Sequence, residues 1–467
     1  MRKLLFFTFF VVSILLFLNA PSTFSRSFCQ IELLLYLTMS ILFLWRKVKD
    51  CGLINFDFFF LLSFLLINYI HPVFIYPNDK MIPSFAFPYN ERIISYALSV
   101  AHLGISTYML GNVCGESRAK KKNNPIIYNL ANNITQRLAL IFAMGVFFYV
   151  FFVLKQRSGI VHLYPRLMIL VISVICLAFY NTALSQRSIN NFKFLIKENR
   201  LNIISFFIFS LSILFLGSRD VVIFLGLFIL SLANTFYFRI KVKWILPLLL
   251  IGGGLMIMLT ITRVSEVNLM SSSFVDVLKY AIDTVSESPD ALSLMFVDFL
   301  VAARNLYDGI DYANGDNLLY GATYIQYLFV FIPFGGGFFT KFITGKSLEE
   351  VHTASVLTIE SNADFGLGTN AISDIYMNFS IYGIFIMMFI FGLFVARVER
   401  CNGKYSTFAY LALVANSLYI PRANIFCWLD MFAFIVIFDY LVNHYVKTPP
   451  TTQHDKVVIK NDYNLSM

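Results

Sequence analysis

Four arginines have the side-chain chemistry of an anion-binding site. They stand at the ends of apolar segments or inside an acidic stretch of the chain: Arg219, Arg263, Arg304 and Arg422. A guanidinium group stays charged at any working pH and binds phosphate oxygens through two parallel hydrogen bonds. Several such groups together stabilise the charge that develops on a pyrophosphate leaving group. Each arginine alone is equally explained by an ion pair, such as one with Asp220, or by contact with lipid headgroups.

Candidate acid and base groups lie in the same acidic stretch, residues 264–370. Transfer of a group from a pyrophosphate to an acceptor hydroxyl needs a base that takes the proton of that hydroxyl. The carboxylates nearest to an arginine in sequence are Asp298, Asp308 and Asp311. His352 is the single histidine of the stretch, and imidazole titrates in the physiological range. Most carboxylates in such a stretch are solvated surface groups, so the choice among these four stays open.

The composition predicts that membrane helices position these residues. Of the 467 residues, 58% are hydrophobic and 13% are charged, with a mean hydropathy of +0.71. Soluble domains carry roughly 25% charged residues, and only lipid can cover so much apolar surface. The net charge of +9 lies in short basic clusters between apolar runs, which indicates topology rather than a nucleic-acid partner. The six cysteines show no CxxC spacing, so neither a zinc site nor a disulfide framework is expected.

The apolar runs predict an all-α polytopic membrane protein with about twelve transmembrane helices. Basic clusters follow the second, fourth, sixth, eighth and tenth runs, so both termini are expected in the cytoplasm. The first run resembles a signal peptide, but Pro21 after the candidate cleavage site favours a retained helix. The predicted spans lie near residues 4–20, 28–45, 53–71, 91–113, 136–154, 164–184, 201–217, 221–238, 244–261, 371–396, 405–420 and 424–443.

One large extracytoplasmic loop is expected between spans 9 and 10. It holds thirteen acidic residues against four basic ones. Its apolar stretch 318–339 is interrupted by Pro333, and a full span there would reverse every later loop. A re-entrant or interfacial segment is therefore expected. The predicted layout is helices 1–9 in residues 1–263, the loop in 264–370, helices 10–12 in 371–446 and a cytoplasmic tail in 447–467.

The loop is expected to close over the site as a lid. Glycines give such a segment its conformational freedom. Hinges are predicted at Gly315, Gly366 and Gly368.

Three stretches carry a resemblance to a known family. They are LGSRDVVIFLGLFIL (216–230), RNLYDGIDYANG (304–315) and SNADFGLGTNAISDIYMNFSIYGIFIMMFIFGLF (361–394). Together with the hydropathy profile they resemble the Wzy-type O-antigen and capsular polysaccharide repeat-unit polymerases. The resemblance implies transfer of a glycan between undecaprenyl-pyrophosphate-linked oligosaccharides at the outer face of the bacterial inner membrane. It implies no cofactor and no metal, with membrane lipid, a chain-length regulator and a flippase as partners.

Two other functions remain open. An O-antigen ligase would share the fold type, the outer loop and the arginines. His352 leaves the ligase function open, although its HTAS context lacks the expected His-Asn pairing. A flippase or other transporter would place polar residues in its spans. Acidic residues do fall within predicted spans, among them Glu32, Asp57, Asp430 and Asp439.

Overall fold

The computed structural model describes most of the chain, in ten segments. These are residues 1–78, 89–116, 132–153, 165–185, 196–215, 220–237, 291–332, 335–363, 366–401 and 403–445. Within these segments the secondary structure is helical, with no β-strand. The predicted ninth span and the predicted tail lie outside the described residues.

The helices are numbered here in chain order. They are α1 (Arg2–Leu18), α2 (Arg26–Cys51), α3 (Phe56–Asn68), α4 (Ile94–Glu116), α5 (Asn132–Phe148), α6 (Pro165–Ser185), α7 (Arg200–Phe215), α8 (Asp220–Phe236), α9 (Ala291–Asn314), α10 (Ile325–Leu328), α11 (Gly335–Thr344), α12 (Leu348–Val351), α13 (Thr353–Glu360), α14 (Ala371–Arg400), α15 (Lys404–Asn416) and α16 (Leu429–Tyr445).

Six stretches within the described residues are long and apolar enough to cross a membrane. They are Arg26–Lys49, Phe56–Ile75, Glu91–Glu116, Asn133–Phe152, Leu167–Leu184 and Ala371–Arg400. Each coincides with a predicted span. The predicted spans at 201–217 and 221–238 correspond to shorter apolar helices, Arg200–Leu214 and Asp220–Phe236. The chain is therefore an all-helical, multi-pass membrane protein.

Small residues allow α4 and α14 to approach closely at the centre of the bundle. A Cβ atom at Gly111 would lie 2.2 Å from the carbonyl oxygen of Phe389. One at Gly392 would lie 2.1 Å from the carbonyl oxygen of Tyr108. Gly111 and Gly115 form a GxxxG pair, which brings helix backbones together where lipid supplies no hydrophobic drive. This contact fixes α14, and with it the polar residues at both of its ends.

The bundle formed by α1–α4 and α14 has two polar ends. At one, here called the network end, the N-terminus of α1 and the C-termini of α2, α4 and α14 meet through buried or partly buried ion pairs. At the other, here called the site end, the N-terminus of α14 meets the C-terminus of α3, where Asn370 donates to Asn68 over 3.0 Å. Helix α9 crosses the site end and packs against α3 and α14.

Helix α9 lies inside the stretch predicted to be a loop. Its residues Leu306, Tyr307 and Ile310 are fully buried against the bundle. A close approach at Gly309, where a Cβ atom would lie 2.6 Å from the side chain of Ser373, fits α9 tightly against α14. The part of residues 264–370 that carries Arg304 is thus a packed helix.

The predicted re-entrant or interfacial stretch folds as short helices. A 3₁₀ turn at Ala322–Tyr324 leads into α10, and α11 follows. None of the six candidate spans includes them. The next long helix, α14, is bent at Ser380, whose φ of 55° interrupts the helical backbone.

Candidate functional site

Arg304, Asp308 and Asp311 form one face of α9. Their spacing of four and then three residues places them on one side of a helix. Arg304 is fully buried, and its Nη2 lies 2.8 Å from Oδ2 of Asp308. The same Nη2 donates to Oγ of Ser361 over 2.9 Å. Asp311 is exposed and accepts a hydrogen bond from Nδ2 of Asn90 over 3.0 Å.

The burial of this pair changes its acid–base chemistry. Burial raises the pKa of the Asp308 carboxyl to about 6, although the Arg304 guanidinium opposes the rise and Asp311 adds to it. Burial also lowers the pKa of Arg304, against the opposing effect of Asp308. A carboxyl with a pKa near working pH accepts and returns a proton readily. Asp308 therefore has the properties of a general base beside a fixed positive charge.

A buried aromatic shell surrounds this face of α9. The ring of Tyr307, one turn from Arg304, lies over Tyr89 with centroids 6.0 Å apart. Its hydroxyl is 3.0 Å from Nδ1 of His71, at the start of a π-helical turn that follows α3. Burial raises the pKa of Tyr89, and Asp308 and Arg304 both act on that pKa electrostatically. The shell links the end of α3 to the Arg304–Asp308 pair.

Arg422 lies on a 3₁₀ turn between α15 and α16. Its guanidinium is 5.4 Å from the ring centroid of Tyr419. Asp220, at the start of α8, also acts electrostatically on the Tyr419 hydroxyl, which places the beginning of α8 beside this turn. Arg219, the predicted site arginine that precedes Asp220, lies outside the described residues.

Residues 366–370 connect the two described arginines. The carbonyl of Leu367 accepts a hydrogen bond of 2.8 Å from Asn305, the neighbour of Arg304. Gly368 packs against the main chain of Arg422, since a Cβ atom there would lie 4.0 Å from the Arg422 carbonyl oxygen. Gly368 has a φ of +75°, a conformation that favours glycine. Arg304 and Arg422 therefore flank the same short segment.

His352 lies at the junction of α12 and α13, and its side chain is partly buried. Burial lowers the pKa of its imidazole, so the ring is neutral at physiological pH and able to accept a proton. The junction is held by the next residue, Thr353, whose hydroxyl donates to Oδ1 of Asp374 over 2.6 Å. The other oxygen, Oδ2, accepts from the Tyr324 hydroxyl over 2.6 Å. Asp374 thus fastens two parts of the predicted loop to α14.

The remaining predicted site residues are Asp298, Arg263, Gly315 and Gly366. Asp298 is on α9, but its side chain lies outside the described part, as does the whole of Arg263. Gly315 ends α9, where its N–H donates to the Asp311 carbonyl over 3.3 Å. Gly366 is exposed and has open space around it. The proposed roles of these residues stay predictions.

Sequence reasoning missed Asp374 and the contact between His71 and Tyr307. Asp374 lies inside an apolar run and in a stretch that carried the family resemblance, so its isolated charge was an available signal. The His71–Tyr307 contact joins residues separated by 236 positions, and no local sequence pattern predicts it.

Two of the acidic residues within the spans lie beside lysines. Lys47 lies 2.7 Å from Asp57, and Lys404 lies 2.6 Å from Asp439. Glu32 is fully buried, and its carboxyl has no hydrogen-bond partner among the described residues.

The six candidate spans define a multi-pass membrane protein, and the candidate polar site lies at one end of its bundle. The sequence model of the family described as O-antigen polysaccharide polymerase Wzy matches residues 3–449. The chain therefore belongs to the O-antigen polysaccharide polymerase Wzy family. No curated protein and no solved structure matches it.

Proposed function

We propose that the protein polymerises undecaprenyl-pyrophosphate-linked oligosaccharide repeat units into O-antigen or capsular polysaccharide at the outer face of the bacterial inner membrane. Membership of the O-antigen polymerase family supports polymerisation as the activity. The observation that carries the choice of site is the buried Arg304–Asp308 pair at the site end of the bundle. Both termini of the chain are placed in the cytoplasm, as the basic loops predict.

Arg304 and Arg422 bind the pyrophosphate of a lipid carrier in this proposal, together with Arg219 and Arg263. The guanidinium groups stabilise the negative charge that grows on the pyrophosphate as the bond from the sugar to phosphate breaks. Partial burial strengthens that interaction, because less water screens it. Arg304 is held in place by Asp308 and Ser361, so it needs no reorientation during the reaction.

Asp308 is the proposed base. It takes the proton from the acceptor sugar hydroxyl as that oxygen forms its bond to the donor sugar. His352 is the alternative, since its neutral ring also accepts a proton. Asp298 and Asp311 remain further candidates. Aromatic rings around α9, such as Tyr312, offer flat surfaces on which sugar rings stack.

The test is deletion of the gene in its host, followed by gel analysis of the surface polysaccharide. Wild type, Arg304→Ala and Arg397→Ala are then returned to the deletion strain. Arg397 is the matched control, because it is an exposed arginine at the network end of α14. We expect a glycan of one repeat on its lipid anchor in the deletion strain, and long chains only with wild type and Arg397→Ala.

Other gel patterns would contradict the proposal. Long chains that accumulate on their carrier in the deletion strain would identify a ligase. Loss of every surface repeat would identify a flippase. Long chains restored fully by Arg304→Ala would remove Arg304 from the site while leaving polymerisation intact.

A further inference from the structure

An exposed apolar surface lies outside the six candidate spans, on the segment that contains α10 and α11. Six large side chains point outward there, with exposed fractions between 48% and 78%. They are Leu328, Phe331, Ile332, Phe338, Phe342 and Ile343. These six residues are called the 328–343 face below. An exposed apolar cluster of this kind marks a surface that contacts a partner or a membrane.

One side of helix α11 packs against the protein, and the opposite side is exposed. Phe338 and Phe342 are one turn apart on the outward side, with ring centroids 6.4 Å apart and planes nearly parallel. On the inward side Thr340 is fully buried. Phe339 stacks on Phe329 at 3.9 Å and joins α11 to the residues after α10. The outward phenylalanines are thus held in place by packing behind them.

The 328–343 face continues the outward surfaces of two long helices. Just before α10, the ring of Tyr324 stacks on Phe379 of α14 at 5.8 Å. Tyr382 follows on α14 and is 75% exposed. Phe331 meets Phe432 of α16 at 6.3 Å. Because α14 is a candidate span, its exposed side chains face lipid, and the 328–343 face lies beside them.

Two cations border the apolar face. Lys341 is exposed and lies on α11 between Phe338 and Phe342 in sequence, and Lys346 follows the helix. They are two of the four Lys and Arg residues in the acidic stretch 264–370. Long basic side chains beside an apolar helix face typically reach the phosphates of lipid headgroups.

We propose that α11 lies in the plane of the membrane interface, on the site end of the bundle. The 328–343 face inserts among lipid acyl chains, and Lys341 and Lys346 contact lipid phosphates. The occupant of this face is the bilayer itself. The inference goes beyond the proposed function, since it assigns a membrane-binding surface that requires neither substrate nor catalysis.

The same surface would set the depth of the site. Tyr324 bonds to Asp374, and the same carboxylate accepts from Thr353, the neighbour of His352. A helix anchored at the lipid headgroups would therefore hold His352 at the level of the lipid phosphates.

The test uses the full chain in nanodiscs of phosphatidylethanolamine and phosphatidylglycerol. p-Benzoylphenylalanine, which couples to neighbouring C–H bonds under ultraviolet light, replaces Phe338 or Phe342 in separate variants. Ile386 on the lipid-facing side of α14 is the positive control, and exposed Glu349 on α12 is the negative control. Mass spectrometry counts lipid adducts. We expect adducts at Phe338 and Phe342 comparable to those at Ile386, and none at Glu349.

Two results would overturn the inference. Adducts at Ile386 without adducts at either phenylalanine would place α11 in water or against protein. A covalent dimer in place of lipid adducts would assign the 328–343 face to a second copy of the chain.

Discussion

The two polar ends of the bundle use similar residues in different ways. At the network end, Lys47 contacts both Asp57 and Glu399, and all three side chains are at most 4% exposed. Asp57 also accepts a hydrogen bond from Tyr108. At the site end, buried Arg304 faces Asp308, which is 14% exposed, and exposed Asp311 lies one turn further along. The Lys47 group is enclosed, whereas at the site end the charge of Asp311 is exposed.

A second ionic group completes the network end. Arg2 and Arg400 both approach Glu116, the last residue of α4. These contacts join α1, α4 and α14 and leave little acidic surface open to a ligand. The pairs of the network end join different helices and hold them in register, whereas Arg304 and Asp308 lie on one helix. We therefore propose a structural role for the network end and a chemical role for the site end.

Lys47→Met tests the structural role with the largest expected effect. Removal of the cation leaves two buried carboxylates without their partner, which costs about 3–5 kcal/mol. We expect a clearly lower midpoint of thermal unfolding in detergent and low amounts of protein in the membrane. Lys49→Met is the matched control, because Lys49 is more exposed and lies on the same turn of α2. Equal midpoints for the two variants would contradict the structural role.

Arg304→Ala tests the chemical role. Loss of one charged donor at a developing negative charge lowers the rate by roughly 100–1000-fold. The measurement is the initial rate of polymerisation of purified lipid-linked repeats, with protein amount matched by immunoblot. Arg304→Lys keeps the charge but not the paired geometry, and we expect it to recover only part of the rate. Full activity of Arg304→Ala would place the reaction elsewhere.

The pH dependence tests Asp308 as the base. Its pKa of about 6 means that the carboxyl is protonated below that pH and ionised above it. A base acts only when ionised, so the wild-type rate is expected to fall about tenfold for each pH unit below 6 and to level off above it. The rate of the Asp308→Asn variant should be about 100-fold lower and should not show this fall below pH 6. If the rate of Asp308→Asn still falls in the same way below pH 6, the base is His352 or another carboxylate.

Tyr307→Phe has the smallest expected effect. It removes the hydroxyl that faces His71 but keeps the ring that stacks on Tyr89. Loss of one hydrogen bond of about 1 kcal/mol corresponds to a rate several-fold lower. If Tyr307 positions Asp308, the pH at which the rate falls to half of its plateau should also move. A loss of stability alone would not cause that shift. Tyr312→Phe, on the half-exposed side of α9, is the control.

Sequence and structure agree best for long apolar helices. The predicted spans at 28–45, 53–71 and 91–113 match three candidate spans, because hydropathy over about twenty residues is a local property. Helix α9 lies within the predicted extracytoplasmic loop, and its helical structure was not predicted, since its mixed acidic and apolar composition lowers its hydropathy. It packs on the bundle through one face only, and a hydropathy average over a sequence window does not detect a single apolar face.

The sequence by itself determined the long apolar helices and the alternation of basic loops. Each follows from composition or from the helical period, which neighbours along the chain define. Only the tertiary structure decided that Lys47 meets Glu399, that His71 meets Tyr307 and that Asp374 fastens the segment beside His352. These partners are far apart in sequence and meet because helices pack. The raised pKa of Asp308 belongs to the same class, since burial by distant residues removes the water that would stabilise its charge.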